Sequence, residues 1–505
     1  MMKKTMIGAM VTAAVLTATA GEWSFPRTTP ESQGIRSEAV IDLIDRLEKK
    51  NADWPHAYML IRHGKVVAEG WWAPYDAATR HQLYSASKGF VSLAIGYAVE
   101  DRKLTLNDRV NWFFPWYVPP EQDERASEIR VRDLLAMSSG QAQDAAGAML
   151  DAQRGMVPRA FFSVPMAERP GLYFNYHNGN TMMLAEIHRR VTGEADMLRY
   201  LKPRLFDPLG FGEIAWERNP DGIDIGGWGL WLSVEEIAAF AQLWLQGGVW
   251  DGRQLIPRDY VAMASRKQIE NATIPWGGPP DWNQGYGFQF WMCRYNCFRG
   301  DGYAGQIALM MPEHDIAVAI TAGSGDIQAE LDAAYVSLMN AVKHRALPVD
   351  AAALASLRTC EAQLRLALPP PAGPNVAFPA ESYRMAENRL GLLRVALAPA
   401  ASGAAVALTL EFGDRTAVFE AGFDADIRTR TAFAYPEPLD LVARAAWSSA
   451  NELVVNILPI GTPSWFTLDF AFAGNRLTYR QRTPIWFRHE TLLDVSATGT
   501  RMATE

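Results

Sequence analysis

Ser85 and Lys88 stand three residues apart in the stretch LYSASKGFVSLAIGYAVED, residues 83–101. At that spacing on a helix the two side chains share a face, so an amine can reach a hydroxyl. The residues behind them, Phe90, Val91, Leu93, Ala94, Ile95, Tyr97, Ala98 and Val99, are apolar on nearly every side, which predicts a buried helix. A lysine there loses its hydration, and a desolvated lysine gives up its proton more readily. Such an amine can activate an alcohol, and a serine at a helix N-terminus sits where the dipole favours developing negative charge. No other S-x-x-K occurs in the chain. Taken alone the pair carries little weight, since a surface Ser–Lys pair is the commoner occurrence.

Two further stretches could complete a site. In RPGLYFNYHNGNTMM, Tyr176-His177-Asn178 gives a Y-x-N, in which a phenol can shuttle a proton and an amide can hold a substrate carbonyl. Tyr173-Phe174-Asn175 overlaps it with the same pattern, so spacing alone does not choose between them. In RGDGYAGQIALMM, Tyr303-Ala304-Gly305-Gln306 opens a strand whose small residues let an acyl group approach the backbone. Separately, the two read as a loop before a helix and a glycine-rich hairpin arm. All three pieces in this order are far less expected by chance.

The elements that must position these residues are legible. SEAVIDLIDRLEKK predicts a helix, and AYMLIRHGKVVAEGWW a β-hairpin turning at His63-Gly64. SVEEIAAFAQLWLQGG predicts a helix capped by Ser233, boxed by Glu236 and ended by Gly247-Gly248. Strand signals return at YGFQFWMC, GQIALMM and IAVAITAG. Strands at both ends with helices between predict a mixed α/β domain whose sheet pairs distant segments. Then LALPPPAGPNVAFPAES forms a proline-rich connector, and beyond it short strands separated by turns predict a small all-β domain, barrel or sandwich. The expected organisation is a signal peptide over 1–20, a catalytic domain over 21–368, a linker over 369–381 and the all-β domain over 382–505.

At 505 residues the chain is long enough for two domains, and 49% hydrophobic with 21% charged residues is ordinary for a folded protein. A net charge of −8 with no basic patch argues against a nucleic-acid partner. MMKK, a short apolar run and Ala18-Thr19-Ala20 read as a cleaved bacterial signal, with export to the periplasm or beyond and no integral membrane segment after its removal. Cys293 and Cys297 flank RYN and could form a disulfide across a hairpin or remain two thiols. The histidines show no HExxH and the cysteines no zinc spacing, so neither metal nor cofactor is expected.

Together the motifs resemble the serine β-lactamase-like superfamily, especially class C β-lactamases, related esterases and penicillin-binding-protein-like hydrolases. The likeness runs from roughly Gln33 to Gly323 through LYSASKGF, IRVRDLLAMSSG, RPGLYFNYHN, GGWGLWLSVEEIAAFAQLWLQGG and GYAGQIALMMPEHDIAVAITAG. The superfamily pattern P-G-x-x-F-x-Y-x-N falls on Pro170, Gly171, Phe174, Tyr176 and Asn178, which selects Tyr176 over Tyr173. The resemblance implies a β-lactamase/transpeptidase-like domain in which Ser85 is the nucleophile and Lys88 and Tyr176 share the general-base work. It also implies that Asn178 orients the substrate, that Tyr303, Gly305 and Gln306 form the third motif, and that the N–H groups of Ser85 and Gln306 make an oxyanion hole.

One departure bears on substrate. Tyr303 stands where the superfamily commonly has lysine or histidine, and a neutral phenol cannot pair with a carboxylate as a cation can. A small ester or amide is therefore the expected substrate, with carboxylesterase favoured over β-lactamase or D-amino-acid peptidase. A GxSxG elbow is absent, which removes the α/β-hydrolases. A non-catalytic binding or sensor protein on the same fold would not need Ser85, Lys88 and Tyr176 together. The all-β tail resembles an accessory domain found on some relatives.

Overall fold

His63 and Gly64 both take positive φ, 49° and 70°, the pairing that a two-residue hairpin turn requires. They join β1 (Pro55–Arg62) to β2 (Lys65–Trp71), with Arg62 opposite Lys65. This is the hairpin the alternation predicts. The computed structural model that gives this description covers residues 24–49, 54–194, 196–272, 278–366, 376–435, 437–485 and 492–503. The expected signal peptide and residues 369–375 of the expected linker lie outside the described residues.

Short strands β3 (His81–Gln82), β4 (Ala215–Trp216) and β5 (Leu230–Leu232) make a small sheet in the order β3-β5-β4, and β6 (Val249–Trp250) and β7 (Arg253–Gln254) a minor hairpin. The main sheet adds β8 (Trp291–Met292), β9 (Phe298–Gly302), β10 (Gln306–Met311) and β11 (Ile316–Ala322). Its order is β2-β1-β11-β10-β9-β8, with every neighbouring pair antiparallel. The N-terminal hairpin thus pairs with the strand that closes the domain, the long-range pairing expected for a mixed α/β domain.

Every residue of β1 and β11 is buried, because helices cover both faces of the sheet. Alternate side chains point to opposite cores. Met59, Ile61, Met310 and Ala319 pack with Phe90, Val91 and Phe240 of the helices Lys88–Glu100 and Val234–Leu245. Tyr58, Leu60, Leu309 and Ile320 pack with Val40, Leu43, Leu331 and Leu338 of Ser37–Glu48 and Ile327–Leu338. The helix Val234–Leu245 begins with the predicted capping box. Glu236 N–H donates to Ser233 Oγ at 3.3 Å, and Ser233 N–H to Glu236 Oε2 at 2.8 Å.

The all-β region is a barrel. Its ten strands run from β12 (Glu381–Met385) to β21 (Asp494–Arg501), and β12 pairs with β21. Closure is completed where β15 (Thr416–Gly422) meets β17 (Leu439–Ser449) at Gly422 and Arg444, on the same edge of β17 that pairs with β16 (Ile427–Thr431). Closing the ring removes exposed strand edges. Cys293 and Cys297 carry free thiols; Cys293 N–H donates to Cys297 O at 2.9 Å, so the cysteines meet through the backbone of a tight turn. Among the described residues no helix is long and apolar enough to cross a membrane.

Candidate active site

Ser85 lies in a single 3₁₀ turn, Tyr84–Ser87, which runs directly into the buried helix Lys88–Glu100. Tyr84 enters that turn at φ 47°, a left-handed conformation that costs a bulky residue on the order of 1–3 kcal/mol. The turn presses on β9. A Cβ at Gly302 would lie 1.9 Å from the Leu83 carbonyl, so only glycine lets the strand come this close.

Lys88 is 1% exposed, and its ammonium has three acceptors: Ser85 Oγ at 2.7 Å, Asn178 Oδ1 at 2.8 Å and Gly227 O at 2.7 Å. Burial lowers its pKa from 10.5 to about 7, against the opposing pull of Asp144 and Asp301. Two of those three acceptors, an amide oxygen and a backbone carbonyl, can never donate. Once Lys88 is neutral, its two N–H bonds go to Asn178 and Gly227 and its lone pair faces the Ser85 hydroxyl. That is the geometry of a general base.

The supports for Lys88 come from separate elements. Asn178 opens the helix Asn178–Thr192 and is fixed by Asp144, which accepts from Asn178 N at 3.0 Å, Asn178 Nδ2 at 2.8 Å and Gly179 N at 2.9 Å. Burial pushes the Asp144 carboxyl up, but neighbouring His177 and these N–H groups outweigh it and hold Asp144 below the usual range. Buried His177 faces Asp144 through Nδ1 at 3.3 Å and accepts from Ala145 N–H through Nε2 at 3.3 Å. The Gly227 carbonyl reaches Lys88 because Gly226 lies against the same helix, where a Cβ would come 2.2 Å from Thr181 O.

Tyr176 lies beside Ser85, close enough for that hydroxyl to influence its titration, and stacks on Trp291, ring centroids 5.3 Å apart at 15°. Its ring centroid is 5.0 Å from Lys88 Nζ. Burial, then nearby Asp301, raise its pKa well above that of a free phenol, so it keeps its proton at neutral pH. Behind Trp291 lies a fully buried guanidinium. Arg299 donates to Asp301 Oδ2 at 2.8 Å and to Asp281 O at 2.8 Å, and sits 4.2 Å from the Trp282 ring centroid. Arg294 is held by Asp281 at 2.7 Å and by Asp332 at 2.5 Å. Both arginines near the third motif are thus already matched to carboxylates.

The structure therefore brings Ser85, Lys88, Tyr176 and Asn178 into one cluster. Tyr303 reaches its edge by packing on Tyr84, ring centroids 5.6 Å apart. Gly305 faces elsewhere: a Cβ there would lie 2.7 Å from Glu330 Oε1. The buried Gln306 side chain also turns away, donating to Ala304 O at 3.2 Å and Ala322 O at 2.7 Å. Sequence reasoning missed Asp144, Gly227, Asp301 and Gly302. The GG pair at 226–227 was a usable signal; nothing local marked Asp144. Among the described residues no cluster of His, Cys, Asp and Glu could hold a metal ion.

An antiparallel sheet covered by helices, with a buried lysine on a serine turn and a tyrosine across from it, defines a β-lactamase/transpeptidase-like fold. The β-lactamase family model matches residues 44–337, more than half of the chain, and the protein belongs to that family. A D-alanyl-D-alanine carboxypeptidase-like protein of Escherichia coli (strain K12) is 24% identical over 238 residues, 41% of this chain and 54% of that one. The match thus spans about half the length of that relative. The octameric penicillin-binding protein homologue from Pyrococcus abyssi is 17% identical with a TM-score of 0.46, covering 91% of this chain and 98% of its own. A family VIII carboxylesterase is 14% identical with a TM-score of 0.47, covering 62% of this chain and 99% of its own.

Proposed function

We propose that this protein is an exported serine hydrolase that cleaves a small ester, or an amide, through an acyl-serine intermediate, with carboxylesterase-like preference. The observation that carries the reading is the Lys88 hydrogen-bond set, in which two obligate acceptors leave one position for the Ser85 hydroxyl. Neutral Lys88 takes the Ser85 proton as Oγ adds to the substrate carbonyl. Developing negative charge on the carbonyl oxygen is met by backbone N–H groups where the Ser85 turn abuts the Gly302–Tyr303 end of β9. The tetrahedral adduct collapses as its leaving oxygen takes a proton from Tyr176, which Lys88 then restores. Water repeats the sequence on the acyl-serine and releases the acid.

The preference for neutral esters follows from charge. Tyr303 offers a neutral hydroxyl, Arg294 and Arg299 are committed to carboxylates, and Asp144 and Asp301 lie within electrostatic reach of Lys88. A substrate carboxylate gains no charge-assisted bond from these groups, and such bonds are roughly twice as strong as neutral ones. Deacylation points the same way: an ester's alcohol diffuses off, whereas an opened lactam ring stays attached and obstructs water. The deciding measurement is kcat/KM for a short-chain nitrophenyl ester against a chromogenic cephalosporin. The ester value is expected to be higher. A cephalosporin value equal to or above it returns the protein to the β-lactamases. Export is tested by N-terminal sequencing of the protein recovered from the periplasm or medium of a bacterial host, with a new terminus expected after Ala20.

A further inference from the structure

The residues that lead into the Ser85 turn are gripped from two sides. Leu83 N–H donates to Leu230 O at 2.8 Å, and Gln82 N–H donates to Gly461 O at 2.9 Å. Leu230 belongs to β5 of the hydrolase domain. Gly461 belongs to the barrel, in the loop between β18 (Glu452–Pro459) and β19 (Phe466–Ala473). A main-chain hydrogen bond from the accessory domain therefore ends only three residues before the nucleophile.

The loop is shaped for this approach. Gly461 has φ 83°, and a Cβ there would lie 2.3 Å from Arg80 O and 3.0 Å from the Trp231 ring. The Pro463 carbonyl rests on Gly323, at the end of β11, where a Cβ would come within 2.4 Å. Trp465 stacks on Trp54, ring centroids 4.2 Å apart at 5°. Thr462 and Ser464 between these contacts are buried, at 1% and 0% exposure. Barrel residues Val442, Leu458 and Ile460 are buried in the same apolar cluster as the helices Ser37–Glu48 and Ile327–Leu338. From a neighbouring barrel loop, buried Tyr435 lies within electrostatic reach of Tyr84, the residue before Ser85. Tyr84 is also the strained residue of the turn, and such a conformation persists only where its surroundings over-determine it.

We propose that the barrel loop Gly461–Trp465, together with Tyr435, is a positioning element of the hydrolase site. It holds Gln82–Tyr84, and through them the Ser85 hydroxyl, in line with Lys88. The kinetic part of this inference rests on the serine-hydrolase reading above. Neither Gly461 nor Tyr435 touches a reacting atom, so their loss should slow chemistry more than it weakens substrate binding.

The test uses the full chain carrying Tyr435→Phe or Gly461→Ala, assayed with a nitrophenyl ester, with a fluorophosphonate probe for Ser85, and by hydrogen–deuterium exchange over residues 81–86. Tyr435→Phe should lower kcat about tenfold and leave KM within about twofold; Gly461→Ala should lower kcat about a hundredfold, the scale of an ångström-sized misplacement. Exchange at the Gln82 amide should accelerate in Gly461→Ala while the rest of the sheet stays protected. Wild-type kcat in both variants with unchanged exchange at Gln82 overturns the proposal. If Gly461→Ala fails to fold, the kcat of Tyr435→Phe decides alone. A wild-type chain that neither labels nor turns over ester overturns the serine-hydrolase reading instead, and the exchange result then judges the positioning claim by itself.

Discussion

At the residue scale the proposed chemistry turns on Lys88, and its burial makes two effects measurable. Because its pKa sits at about 7, acylation should rise with pH through that value and level off above it, as the neutral amine becomes the populated form. Stability should follow the same titration. Between about 7 in the folded chain and 10.5 in the unfolded one, the unfolded state binds the extra proton, so stability rises with pH across that window. Below pH 7 both states are protonated and the full cost of burying the charge remains, on the order of 4–5 kcal/mol. Wild type should therefore gain stability on Lys88→Met steadily from pH 7 to 10 in denaturant melts. A constant gap would mean that Lys88 is not the desolvated base described above. Ser85→Ala should fold like wild type and lose turnover by several orders of magnitude, up to about a million-fold as for nucleophiles in other serine enzymes. A mutant retaining a tenth of the activity would refute the mechanism.

At the scale of elements, the closeness of β9 to the serine turn is the vulnerable feature. Gly302→Ala would drive a methyl into the Leu83 carbonyl, 1.9 Å away, so the turn must move. Activity should fall by at least about a hundredfold, with a much smaller loss of melting temperature than of rate. Gly147, in the short helix Ala146–Leu150, faces open space, and a methyl group there would meet nothing within 4 Å. Gly147→Ala should therefore leave kcat unchanged and stabilise by roughly 0.5–1 kcal/mol, the helical cost of glycine against alanine. The capping box offers a third comparison. Ser233→Ala should cost about 1 kcal/mol in urea unfolding. Glu236 carries more, since it also forms the paired contacts with Arg80 at 2.8 and 2.9 Å, directly before β3.

For the whole molecule, the question is whether the hydrolase domain is self-sufficient. All of the clustered side chains lie before the proline-rich connector, which makes a chain ending near residue 368 look complete from sequence. The contacts argue otherwise: Gln82 would lose its partner at Gly461, and the apolar cluster around Leu43 and Leu331 would lose Val442, Leu458 and Ile460. Removing that much buried side chain costs about 1.5–3 kcal/mol for each large residue exposed. A chain truncated after Leu366 should melt well below the full-length protein and label poorly at Ser85. Full labelling and an unchanged melting temperature would make the barrel an independent appendage.

The Ser85–Lys88 pair, the hairpin at His63-Gly64, the Ser233–Glu236 cap and the change to short strands after residue 380 were all legible in the chain. Each depends on neighbours within a few residues: a helical face, a two-residue turn, an N-terminal box, a two-residue alternation. The choice of Tyr176 over Tyr173 needed the longer superfamily pattern, because both tyrosines satisfy the local one. What the sequence could not hold was everything decided by segments distant along the chain. Asp144 fixes Asn178, Gly227 completes the lysine's acceptors, Gly302 admits β9 to the serine turn, and Gly461 reaches Gln82 from the other domain. The placing of the Gln306 side chain belongs here too, since Ala322 O, which holds it, comes from the neighbouring strand β11. Local sequence determines which groups are available. Only long-range packing strips water from Lys88 and aims its lone pair, and that desolvation turns a serine and a lysine into a candidate nucleophile and base.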